Sequence, residues 1–166
     1  MTSEAVKPVF SRETLAQVRA AGVEQLLEQH YREIAHNQDI PLAVDWAAYE
    51  VMEQAGILRI FTLRVGGQLV GYACHIVTTN PHYSGSLQAA QDVLYVDLAW
   101  RRGHLGMQLI SYADNQLARE GVQAVYQHQK IAHEALGVVL PRLGYQPVEL
   151  VWTRRLDRSP LGGPAR

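Results

Sequence analysis

The fold class this sequence predicts is α/β, a central mixed β-sheet flanked by helices on both faces. Three observations lead there. Residues 58–65 and 69–79 carry strand patterns and are joined by Gly66-Gly67, a hairpin turn signal. Residues 93–98 read as a buried, mostly apolar strand that runs through a basic, glycine-containing turn into an amphipathic helix. Helical and extended patterns then alternate toward the C-terminus, as they do when helices cover a sheet.

The elements follow in chain order. Residues 1–10 show no period and are expected to be flexible. A helical stretch is expected from Ser11, with Leu15, Val18, Val23, Leu26, Leu27, Tyr31 and Ile34 tracking one face and Gly22 breaking it. Residues 37–41 read as a turn. Residues 44–54 read as a second helix with Trp46, Tyr49 and Met52 inward and Gly56 as its stop. In the return strand of the hairpin, Gly71 marks a bulge or a close backbone approach. Residues 80–91 contain Pro81, Gly85 and two serines, which predicts a loop entering the next strand. Helix is expected over 107–120, strand over 122–128, helix over 134–143, and a last strand over 148–153. Pro160, Gly162, Gly163 and Pro164 make 157–166 a disordered tail. One domain therefore spans 11–156.

Composition excludes several classes. The chain has 166 residues, 48% hydrophobic and 19% charged, which suits one globular unit with a real core. A net charge of −1 sets up no global field toward nucleic acid or membrane. No apolar run approaches the length of a membrane span. The single cysteine, Cys74, suits a reducing compartment, and the first residues lack the pattern of a signal peptide, so a cytoplasmic location is expected. Seven histidines match no metal spacing, and no metal is expected.

The turn after residue 98 carries the chemistry. Amides at the start of a helix have no intrahelical acceptor, and the helix dipole adds positive charge there. Arg101 and Arg102 add full charges suited to phosphate. The dinucleotide pattern Gly-x-Gly-x-x-Gly and the nucleotide P-loop are both absent. Another phosphate ligand at the same helix terminus, such as a nucleotide, stands as a distant reading.

The run Arg101-Arg102-Gly103-His104-Leu105-Gly106 resembles the coenzyme A loop of the GCN5-related N-acetyltransferases (GNAT), Gln/Arg-x-x-Gly-x-Gly/Ala. It fits at the first and last positions and has His104 where the family has its middle glycine. The order of the surrounding elements and the Gly144-Tyr145 step extend the resemblance over about residues 45–156. The resemblance implies acetyl transfer from acetyl-CoA to a primary amine by direct attack in a ternary complex. It places the cofactor phosphates on Arg101, Arg102, Gly103, His104, Leu105, Gly106 and Met107. It places the pantetheine arm on Val96 and Leu98, where the family's strand splays from its neighbour. His133 falls where many members contact the cofactor through asparagine.

The resemblance also implies a carboxylate base on the strand before the loop. Asp92 is the best-placed candidate, and Asp97 a weaker one. The family's tyrosine acid is replaced by Leu140, followed by Pro141. Tyr126, His128 and His133 are the replacement donors, with His128 favoured. The acceptor is expected to be a small-molecule or peptide amine, lined by residues such as Tyr31, Trp46, Tyr49, Tyr72, His75, His82 and Tyr83. The family often forms homodimers. The alternative reading is a catalytically weak or inactive acyl-CoA-binding module on the same fold.

Overall fold

The computed structural model describes residues 6–101 and 103–157. The first element among the described residues is a strand, β1 (Pro8–Glu13), where the sequence suggests a loose end and then a helix. β1 runs antiparallel to β2 (Leu58–Val65), with Pro8 opposite Val65 and Glu13 opposite Ile60. This pairing decides against helix over 11–14, because a short polar run gains more from a sheet edge than from one helical turn. Glu13 accepts two hydrogen bonds from Arg64, at 2.8 and 2.7 Å, and one from the buried hydroxyl of Thr62. These bonds, the Arg64 one foremost, hold its carboxyl down at about 2.

Helix begins only after Thr14. Its hydroxyl accepts from the Gln17 amide while the Gln17 side chain accepts from the Thr14 amide, which closes a capping box. The helix α1 (Leu15–Ala20) ends where Gly22 takes φ +78°, and α2 (Val23–Ile34) follows. The third helix, α3 (Trp46–Gln54), is capped by Asp45, which accepts from the Ala48 amide. Trp46, Tyr49 and Met52 are only partly buried, packed on the sheet from the same side as α1 and α2.

The long hairpin is the centre of the fold. β3 (Gln68–Asn80) pairs antiparallel with β2 on one side and β4 (Tyr83–Val96) on the other. The expected loop over 80–91 is therefore a correction. Only a tight turn separates β3 from β4, with Asn80 accepting from the His82 amide at 2.9 Å. The serines and Gly85 that suggested a loop lie on the exposed start of β4, where a polar strand needs no apolar pattern. Gly71 lies opposite Val96, and a Cβ there would meet Val96 Cγ2 at 3.0 Å and the Tyr95 carbonyl at 3.1 Å. Close backbone approach is thus the reason for that glycine.

Beyond β4 come α4 (Leu105–Arg119), the short strand β5 (Ala124–Tyr126) and α5 (Ala135–Val139). Pro141 sits in a 3₁₀ turn, Leu140–Leu143, which ends at Gly144 with φ +87°. The sheet order is β1-β2-β3-β4-β5, antiparallel except for β5, which runs parallel to β4. Alternation along β2 divides the core. Phe61, Leu63 and Val65 pack with Leu109, Ala113 and Leu117 of α4. Leu58 and Ile60 pack with Leu15, Val18, Val23 and Leu26 of α1 and α2 on the opposite face. Each fully buried leucine contributes roughly 1.5–3 kcal/mol through apolar area removed from water. Two expected elements change. The strand over 122–128 shrinks to β5, and 148–153 forms no strand at all. The tail's residues 158–166 lie outside the described residues, as do residues 1–5.

His30 and His75 are buried in the two core layers. Burial lowers both imidazoles from 6.5 to about 4. Their folded values lie below the unfolded one, so the unfolded chain binds protons first as pH falls. Stability should be whole above pH 6.5 and decline toward pH 4, with up to about two extra protons taken up on unfolding. Glu13 should add a further loss between pH 4.5 and about 2. Urea unfolding at stepped pH reads both windows, and a flat profile from pH 6.5 to 4 would contradict the burial of the two histidines.

Candidate active site

The register of β3 and β4 shifts at two places, beside the hairpin turn between Thr79 and Asn80 and, deeper in the sheet, between Cys74 and His75. Cys74 lies opposite Val93 and His75 opposite Gln91, so Asp92 is the extra residue of a β-bulge. A bulge bends its strand and turns the extra side chain out of the ladder. Asp92 is exposed, and its Oδ2 accepts a 2.5 Å hydrogen bond from the Tyr49 hydroxyl. Burial, then this bond, pushes the Tyr49 phenol far up, so it stays a donor. The Cys74 thiol lies fully buried close by. Burial foremost, and the Asp92 charge after it, push that thiol up and keep it neutral.

A strand has two hydrogen-bonding edges, and β4 uses them unequally. It pairs with β3 along most of its length. It pairs with β5 only through Gln88, Ala89 and Ala90, opposite Ala124, Val125 and Tyr126. The two parallel strands then part. The His128 amide donates to the Gln91 side chain at 3.1 Å, in place of a backbone ladder bond. From there β4 runs on to Val96 without β5.

The end of α2 spans the parted strands. Arg101 donates to both oxygens of Glu33, at 2.5 and 2.7 Å, and to the Val96 carbonyl at 2.7 Å. Its guanidinium lies over the Tyr95 ring, 5.1 Å from the centroid. Lys130, beyond β5, donates to the Ile34 carbonyl at 2.8 Å. The Arg101 bond foremost holds the Glu33 carboxyl below its usual range, and the charge of nearby His133 adds to this. Three donors of Arg101, expected to face phosphate, are engaged here by α2 and the end of β4.

The loop itself begins with a 3₁₀ turn, Leu98–Trp100, capped by Asp97, which accepts from the Ala99 amide at 2.8 Å. Asp97 thus serves as the cap of this turn. Leu98 is 64% exposed, while Val96 is buried. Arg102 lies outside the described residues. Gly103 has φ +80° and His104 φ +68°, and α4 starts at once after them. His104 is the one non-glycine residue with positive φ among the described residues. The Gln108 amide donates to the His104 carbonyl at 2.9 Å, so the amides of Leu105, Gly106 and Met107 precede the helical ladder. No acidic residue occupies the first turn of α4. A Cβ on Gly106 would meet only Val96 Cγ2, at 3.9 Å.

A partly buried polar chain lies beyond β5. Gln127 donates at 3.4 Å to the Tyr145 hydroxyl, which donates to Asp114 at 2.8 Å. Gln127 also reaches His75 Nε2 at 3.4 Å, while His75 Nδ1 and Gln127 Oε1 have no protein partner. Sequence reasoning missed Tyr49 as the partner of Asp92, and it missed Glu33 and Gln91. No linear spacing signals them, because each acts across the sheet. The remaining candidates do not all converge. His128 is exposed at the start of the parting, and His133 is half-buried beside the end of α2.

No family model and no curated protein matches the chain. Solved structures do. A ribosomal-protein-alanine N-acetyltransferase from Brucella melitensis biovar Abortus 2308 aligns with TM-score 0.69 at 15% identity, over 90% of this chain and 99% of its own. An aminoglycoside N-acetyltransferase in complex with CoA aligns with TM-score 0.69 at 16% identity, over 93% and 98%. A transcriptional regulator from Bacillus halodurans C-125 aligns with TM-score 0.72 at 16% identity, over 90% and 100%. The chain has the GNAT fold.

The left-handed conformation of His104 costs roughly 1–2 kcal/mol relative to glycine in sterics alone. His104→Gly should raise stability by up to about 1 kcal/mol once the greater freedom of unfolded glycine is counted. His104→Val should lower it by about 1–3 kcal/mol, because a β-branched residue tolerates positive φ worst. Chemical denaturation of the two variants measures both. Equal stabilities would mean that position 104 does not hold this conformation in solution.

Proposed function

We propose that this protein is an acetyl-CoA-dependent N-acetyltransferase that passes an acetyl group to a primary amine by direct attack in a ternary complex. The observation that supports this most is the parting of β4 from β5 beside the α4 N-terminus. A parted strand leaves main-chain donors and acceptors for an amide-bearing arm. A helix N-terminus favours a pyrophosphate. The residues present fit such a ligand, since space lies over Gly106 and no acidic side chain opposes the charge.

In this reading the main chain of Gly103, His104, Leu105, Gly106 and Met107 holds the phosphates. Arg102 supplies charge, because Arg101 serves to tie the end of β4 to Glu33. Val96 lines the arm's path with its side chain, as its carbonyl already serves Arg101. Leu98 is exposed enough to cover the arm, and His133 stands beside it. Acetyl-CoA brings the activated thioester carbonyl.

Asp92 receives the amine's proton. Tyr49 fixes one carboxylate oxygen, so the other is presented in a defined direction. His128, tied through its amide to Gln91 next to Asp92, is the proposed donor to the departing thiolate. Positioning of amine against thioester supplies much of the acceleration. A small-molecule or peptide amine in the cytoplasm is the proposed acceptor. One observation favours the second reading, an acyl-CoA-binding module without turnover: Leu140 and Pro141 place no hydroxyl in the 3₁₀ turn.

Isothermal titration with acetyl-CoA, CoA and ATP tests the site. Micromolar acetyl-CoA binding with weak ATP binding is expected, and Gly106→Trp should abolish it while leaving the fold intact. Normal binding by Gly106→Trp would remove the loop from the site. Turnover separates the two readings. Asp92→Asn should lower kcat roughly 10²–10⁴-fold with acetyl-CoA affinity unchanged. Binding without turnover across a broad amine and peptide panel would favour the module.

A further inference from the structure

One row of polar side chains crosses the sheet where the strands part. Ala89 of β4 and Val125 beside it in β5 lie in the apolar layer under α4, as do Ala73 and Val77 of β3. Side chains two positions apart on a strand share a face. Gln91 and Gln127 therefore belong to the α4 face, and so does His75, which is paired with Gln91. His75 is 1% exposed and Gln91 9%, and the His75 ring meets Phe61 edge-on with centroids 5.8 Å apart. His75 Nδ1 and Gln127 Oε1 are buried without a hydrogen-bond partner among the described residues. Such a row adds less stability than apolar side chains of the same shape would. What it fixes is position.

Ala90 and Tyr126 form the last pair between the parallel strands, and the next would set Gln91 opposite Gln127. That pair does not form. Gln91 Oε1 instead accepts from the His128 amide at 3.1 Å, so the length of a side chain stands between the two main chains. Gln127 Nε2 donates to the Tyr145 hydroxyl at 3.4 Å, and that hydroxyl donates to Asp114 of α4 at 2.8 Å. We propose that Gln91 and Gln127 are positioning residues: Gln91 is the spacer that starts the parting, and Gln127 anchors the departing chain to α4 through Tyr145 and Asp114. The bulged Asp92 follows Gln91 directly, so one short stretch sets both the carboxylate and the opening beside it. The proposal rests on the reading of that opening as the path of the acetyl-CoA arm, and it names the side chains that hold the path open.

Hydrogen exchange on the free protein and isothermal titration with acetyl-CoA test this together. Gln127→Leu is the first variant, and Gln91→Leu serves where Gln127→Leu does not fold. The amides of residues 92–95 that do not bond to β3 should exchange roughly 3–10-fold more slowly in the variant, as β5 extends along β4. Amides of α4 should keep their rates, which shows that the fold is intact. Acetyl-CoA affinity should fall about tenfold, because β5 then takes the main-chain partners of the arm. Unchanged or faster exchange at 92–95 overturns the proposal, since the row would then be packing alone. Slower exchange with unchanged acetyl-CoA affinity overturns the positioning role, since closing the edge would not touch the ligand. A wild type that binds no acetyl-CoA removes the acetyltransferase reading instead, and the exchange rates still decide whether the row holds the strands apart.

Discussion

Everything at the site depends on one imbalance: β4 is held along most of its length by β3 and along only three residues by β5. A central strand normally spends both edges on neighbours. Here the outer edge of β4 is released from Gln91 onward, where the ladder to β3 also bulges at Asp92. The two irregularities act together. The bulge turns a carboxylate out of the sheet, and the parting opens main chain beside it.

The helices hold this opening in shape from opposite faces. α4 packs its apolar stripe under the sheet and directs its first amides toward the end of β4. α2 crosses on the other side, with Glu33 gripping Arg101 and Ile34 accepting from Lys130. An ion pair as exposed as Glu33–Arg101 adds little to stability, about 1 kcal/mol or less. Its consequence is geometric, since it fixes where the strand ends and the loop begins. Tyr49 does the same for Asp92. Helices that look like packing partners in the sequence therefore set the position of polar groups.

Legibility tracked the range of the interactions involved. The hairpin at Gly66-Gly67 and the helix stop at Gly56 were readable because turn chemistry is local. The turn into α4 was readable because charge, glycine and an apolar period coincide within a dozen residues. The start of β4 was not, since polar strand residues on an exposed edge look like loop residues. β1 was hidden for a similar reason, because its strand character comes from β2. In the site, Asp92 was found as a candidate, but the bulge and the Tyr49 hydroxyl that aim it were not. Arg101 was read as a phosphate ligand because Glu33, 68 positions away, gives no local sign of claiming it.

By itself, the sequence determined what short-range physics can determine. It specified a sheet with helices on both faces, a hairpin, and a helix N-terminus preceded by a basic glycine turn. Those follow from periodicity, turn residues and unpaired helix amides within a few positions of one another. Only the tertiary structure decided which edge of β4 stays open, which carboxylate is turned outward and which arginine is already paired. Each of those depends on which distant segments meet, and a pattern of neighbours along the chain carries no record of that.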